Sequence, residues 1–133
     1  GDTTSYTITS TSVSRASAGQ INYTGLQAVI VNGATNPNNY YVRSTGSGTP
    51  VTVNAGGGGD TIDVGSAAGS LDTILGAVNV YGQTGAGDTL NINDQADGAA
   101  TDVNNYALDA TTFTRTSPSA PVSVTCRPPW ISL

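Results

Sequence analysis

Tyr6-Thr7-Ile8-Thr9-Ser10-Thr11-Ser12-Val13-Ser14-Arg15 returns one hundred residues later as Tyr106-Ala107-Leu108-Asp109-Ala110-Thr111-Thr112-Phe113-Thr114-Arg115. The leading Tyr, the apolar positions, the hydroxyl residues around Val13 and Phe113, and the closing Arg all recur. Self-similarity at a fixed period marks a chain of stacked units, each burying its apolar face on its neighbours. That organisation points to a scaffold rather than to an enzyme.

The period subdivides. Alternating apolar couples occur at Tyr6/Ile8, Val29/Val31, Val51/Val53, Val78/Val80 and Tyr106/Leu108, at steps of 23, 22, 27 and 28 residues. A second series runs Thr11/Val13, Tyr40/Val42, Ile62/Val64, Leu90/Ile92 and Thr111/Phe113, at steps of 29, 22, 28 and 21. Each couple is an i, i+2 pair on one face of a strand, with Thr, Asn or Asp turned the other way. Turn-rich segments lie between the series: Asn32 to Pro37, Asn54 to Gly59 and Gly82 to Gly87. Gly and Asn accept left-handed backbone there, and Pro37 presets a turn. The fold expected is all-β, a parallel β-solenoid (β-helix) with rungs of 21 to 29 residues and four rungs per 100-residue repeat. Equivalent strands then stack about 4.8 Å apart. The alternative is an antiparallel β-sandwich, which also has short strands and regular turns.

Composition agrees with the class. The chain of 133 residues is one domain's length and has no Lys, Glu, His or Met, while Thr is its commonest residue. Strong helix formers are scarce and strand formers plentiful. Nine Asp against four Arg give a net charge of −5, which disfavours nucleic acid and anionic membranes as partners. No apolar run approaches the roughly 20 residues of a membrane span, and the first residues do not read as a signal peptide. Cys126 stands alone, so it is either a spectator or an intermolecular link.

Candidate chemistry is thin. Ala55-Gly56-Gly57-Gly58-Gly59-Asp60-Thr61-Ile62-Asp63 departs only at its first position from the nonapeptide G-G-x-G-x-D-x-U-x, in which glycine carbonyls and the Asp carboxylate surround calcium. Asp88, in Gly87-Asp88-Thr89-Leu90, is the corresponding residue one turn on. Asp60 and Asp88 are therefore the metal candidates, although calcium rolls need adjacent nine-residue turns. The competing reading is that the glycines make tight corners and the carboxylates cap turn amides. Asp60/Asp63 and Asp94/Asp97 have the look of paired carboxylates for glycoside cleavage, but Asp is a routine turn residue. Ser and Cys126 lack the imidazole that would activate them. No catalytic residue is assigned, and no cofactor beyond calcium. Asn22-Tyr23-Thr24 is a glycosylation sequon.

From Val51 to Asp94 the chain resembles repeats of very large secreted bacterial proteins. The resemblance rests on Val-Thr-Val-Asn-Ala-Gly-Gly-Gly-Gly-Asp-Thr-Ile-Asp-Val-Gly-Ser, Leu-Asp-Thr-Ile-Leu-Gly-Ala-Val-Asn-Val-Tyr-Gly and Gly-Asp-Thr-Leu-Asn-Ile-Asn-Asp. It implies an extracellular or cell-surface β-helical protein related to adhesins and calcium-roll proteins, without catalytic residues. Residues 1–125 are expected to form a single solenoid domain, and 126–133 a non-repeat tail that caps or docks. Two prolines end the last strand there. The expected function is a structural subunit of an extracellular fibre or surface layer, self-assembled head to tail by strand addition. Its assembly residues are Tyr106, Leu108, Phe113, Val122, Val124, Trp130 and Ile131. The alternative is an adhesin stalk that binds glycan or calcium.

Overall fold

The computed structural model describes residues 3–84, 86–96, 104–116 and 121–127, and these are all-β. In chain order the strands are β1 (Thr4–Ile8), β2 (Ser12–Arg15), β3 (Gln20–Asn22), β4 (Val29–Asn32), β5 (Asn38–Val42) and β6 (Val51–Asn54). They continue with β7 (Thr61–Val64), β8 (Val78–Tyr81), β9 (Thr89–Ile92), β10 (Asn105–Leu108), β11 (Thr112–Thr116) and β12 (Val122–Arg127). Two six-stranded mixed sheets result, ordered β3-β2-β1-β5-β7-β9 and β10-β11-β12-β8-β6-β4.

The middle of the chain stacks as the spacing predicts. Val29, Val51 and Val78 lie opposite one another in parallel register, as do Val31, Val53 and Val80. In the other sheet Tyr40, Ile62 and Leu90 align, followed by Val42, Val64 and Ile92. Strict two-residue alternation sends each couple into one shared core, and the intervening residues outward. Leu71 and Ile74 complete that core from the connection between β7 and β8. A parallel bridge from Thr45 to Ile74 ties this connection to its predecessor.

The end couples behave differently from the four-rung expectation. Tyr6/Ile8 does not lie beneath Val29/Val31. It lies on Tyr40/Val42 in the opposite sheet, where the rings of Tyr6 and Tyr40 stack at 5.2 Å. Thr11/Val13 folds back on it as an antiparallel hairpin, with Tyr6 opposite Arg15 and Ile8 opposite Val13. The hundred-residue echo is the same hairpin in the same register, Tyr106 opposite Arg115 and Leu108 opposite Phe113. The physical cause is turn length. Ile8 and Val13 are five residues apart, which allows only a reversal, whereas a parallel neighbour needs a crossover. The reversals share a cap: Thr9 Oγ1 accepts the amides of Thr11 and Ser12, and Asp109 Oδ1 those of Thr111 and Thr112.

Each hairpin gains a third strand. β3 pairs antiparallel with β2, and β12 with β11. The chain thus carries two copies of a three-stranded meander, one in each sheet. β12 runs through Arg127, two residues past the expected boundary at Thr125.

Candidate functional site

The glycine-rich corners before β7 and β9 are where sequence chemistry was expected. Asp60 and Asp88 each stand just ahead of a strand and reach one layer back. Asp60 Oδ1 accepts the Asn38 amide at 2.7 Å, and Asp88 Oδ1 accepts the Asp60 amide at 2.9 Å. Asp94 repeats the device beyond β9, accepting the Leu71 amide at 2.8 Å. Asp60 and Asp88 therefore cap backbone donors at equivalent positions ahead of successive strands, and Asp94 caps one after β9. Asp60 is 1% exposed, and burial pushes its carboxyl above the ordinary range, opposed by the Asn38 amide and reinforced by the charge of Asp88.

The glycines serve close approach. A Cβ on Gly56 would lie 2.1 Å from the Ala34 carbonyl oxygen, and one on Gly58 2.6 Å from the Pro37 nitrogen. Both residues have φ near +100°. The corners of adjacent layers therefore touch backbone to backbone, which is possible only without side chains. For calcium, the pair Asp60/Asp88 offers two further carboxylate oxygens, Oδ2 of each, both buried with no hydrogen-bond partner among the described residues. Calcium takes six to eight oxygens. No group of three His, Cys, Asp or Glu suited to a metal occurs among the described residues. Both carboxylates act as amide caps through Oδ1.

Asp63 faces outward on β7, away from buried Asp60, and accepts from Asn91 Nδ2 at 2.8 Å; Asn54 and Asn32 make a similar cross-strand contact in the other sheet. Asp97 lies outside the described residues. An open polar groove beside these rows is lined by Arg43, Asp63, Asn91, Asn93 and Gln95.

A buried cation escaped the sequence reading. Arg115 on β11 is 1% exposed. Its guanidinium bonds Asp94 through Nη1 at 2.9 and 3.1 Å and Asp72 through Nη2 at 2.9 Å. Tyr106 Oη also donates to Asp94, at 2.8 Å. The partners lie 21 and 43 residues before Arg115 in the chain, so only folding brings them together. Arg15, its counterpart in the echo, is instead exposed beside the Tyr6 ring.

The remaining expected residues divide by strand. Asn22 ends β3 on the surface, its Oδ1 accepting from Gln20 Nε2 at 2.6 Å. Tyr106 and Leu108 are exposed on β10, and Phe113 is half-buried against the Tyr106 ring. Val122 and Val124 are core residues of β12 and are already used within the chain. Trp130 and Ile131 lie outside the described residues. Cys126 is in the core, and burial pushes its thiol pKa up, which disfavours the reactive thiolate.

Comparison with protein-family models, with curated proteins and with solved structures returns no match.

Proposed function

We propose that the two parallel stacks are successive rungs of a β-solenoid, and that the chain is a structural subunit of an extracellular fibre or surface layer, built head to tail by strand addition. The observation that supports this reading is the meander repeated at one edge of each sheet, with β3 and β10 as edge strands. An open edge presents unpaired amides and carbonyls to another strand. A heterologous contact that does not close produces a filament. Outward Thr, Asn and Asp rows and the small share of charged residues, 10% of the chain, suit close lateral packing. Negative-stain microscopy across a concentration series tests the reading: filaments or linear oligomers are expected, and uniformly single particles at every concentration overturn it.

The polar groove lined by Arg43, Asp63, Asn91, Asn93 and Gln95 favours a second reading, an adhesin stalk that binds glycan. Amides, a carboxylate and a guanidinium match the hydroxyl rows of a sugar chain. A glycan array probed with the whole chain, with Asn91→Ala as control, decides between them. Binding that the substitution removes supports the adhesin.

A further inference from the structure

The two meanders share strand order and hairpin register, although Val122 and Cys126 of β12 correspond to Gly19 and Tyr23 beside β3, and they are attached by opposite edges. In the C-terminal copy the third strand is the attached one: β12 lies parallel to β8, with Val124 opposite Val78 and Cys126 opposite Val80. In the N-terminal copy the first strand is attached: β1 lies parallel to β5, with Tyr6 opposite Tyr40 and Ile8 opposite Val42. The registers within the meanders make Ile21 the counterpart of Val124, since each stands opposite the aromatic or aliphatic residue of the middle strand, Val13 or Phe113.

Burial follows the attachment. Val124 is fully buried, whereas Ile21 is 70% exposed. Ile8 is fully buried, whereas its counterpart Leu108 is 80% exposed. Arg115 is enclosed by Asp72 and Asp94, whereas Arg15 is exposed. Each meander therefore has two edges able to take a parallel strand, and within one chain it uses one. The other copy shows, in register, what would cover the unused edge.

We infer that the N-terminal meander of one copy docks on β8 of a second copy, in the place held there by the second copy's own C-terminal meander. This rests on the head-to-tail reading above and specifies its joint. β1 stays on its own β5, while β3 takes the seat of β12. Ile21 then lies on Val78, Asn22 opposite Asn79, and Arg15 between Asp72 and Asp94. Ile for Val keeps the buried contact apolar, and Arg for Arg keeps the ion pairs. Asn22 beside Asn79 extends the kind of amide ladder that Asn54 and Asn32 form at 2.7 Å. The strand order across the joint becomes β4-β6-β8 of one copy, β3-β2-β1, then β5-β7-β9 of the next. The occupant is thus a second copy of this chain, and the displaced segment is the second copy's β10 to β12.

The test uses full-length chains in sedimentation velocity. Val124→Asp places a carboxylate over Val78, loosens β12 and opens β8, so this variant is expected to form dimers and longer linear species at concentrations where the unaltered chain is mainly monomeric. Adding Ile21→Asp or Arg15→Glu, both at exposed positions, is expected to return it to the monomer boundary. Should Val124→Asp unfold, as read by far-ultraviolet circular dichroism, the milder Val124→Ala carries the same series. A folded variant that stays monomeric overturns the joint, as do oligomers that survive both second substitutions. Filaments of the unaltered chain that tolerate Ile21→Asp and Arg15→Glu would retain the fibre reading while removing this joint from it. Absence of any assembly removes both.

Discussion

Gly56→Ala tests whether the glycine run exists for stacking. Gly56 has φ +100°, beyond the left-handed well near +57° that a side chain tolerates best. Holding an L-residue at positive φ costs about 1–2 kcal/mol. A Cβ there also falls 2.1 Å from the Ala34 carbonyl oxygen, and forcing atoms into a packed site costs about 1–3 kcal/mol more. The expected loss is therefore about 2–5 kcal/mol, a large part of the roughly 5–15 kcal/mol available to a domain. Two neighbours serve as controls. Gly87 has φ +88° with nothing within 4 Å of an added Cβ, so Gly87→Ala loses only the backbone cost, about 1–2 kcal/mol. At Gly57 the nearest atom, Thr35 Cα, is 3.4 Å away; Gly57→Ala stays within about 1 kcal/mol of the parent, helped by the stiffer unfolded chain. Urea unfolding of the three variants, with midpoint and slope both fitted, reads the order directly. Equal losses at Gly56 and Gly87 would falsify the backbone-contact account of the run.

Three further expectations follow from the carboxylates. Asp94→Ala removes the two Nη1 bonds of the buried Arg115 guanidinium and the cap on the Leu71 amide, so a loss of about 3–5 kcal/mol is expected in the same unfolding assay. Asp72→Ala, at a half-exposed partner, should cost about 0–1 kcal/mol; equal losses would mean that burial does not set the two partners apart. Asp60 has a carboxyl pKa raised in the folded state, so its contribution is fully present below the ordinary carboxylate range and fades as pH rises through the raised value. Asp60→Asn should therefore flatten the stability profile from the ordinary carboxylate range upward, and an unchanged profile would place the titration elsewhere.

Much of the core was legible because strand periodicity is local. Val29/Val31, Val51/Val53 and Val78/Val80 announce both their faces and their register, and the parallel stack follows once each strand has a like neighbour one layer away. The hairpins were legible too, in a signal of another kind. The interval from Val31 to Tyr40 is nine residues, while that from Ile8 to Val13, and from Leu108 to Phe113, is five. Weighing that interval separates a corner from a reversal; matching the couples by period alone merges them. The capping roles of Asp60 and Asp88 were open to sequence reasoning as turn chemistry, since each stands immediately ahead of a strand. Arg115 was not. Nothing local distinguishes it from Arg15, and its burial depends on carboxylates from two distant turns.

By itself the sequence determined the strand class, the inward couples and the glycine corners, because each depends on residues within a few positions of one another, and the recurrence of the couples gave the register of the middle strands. Only the tertiary structure decided that the repeated decapeptide is a hairpin belonging to different sheets at its two ends. The same residues can be attached through either edge of the meander, so their local pattern is identical in both places. Which edge is covered depends on the neighbouring strand, β5 or β8, that the chain brings alongside, and with it whether Ile8 or Leu108, Val124 or Ile21, enters the core.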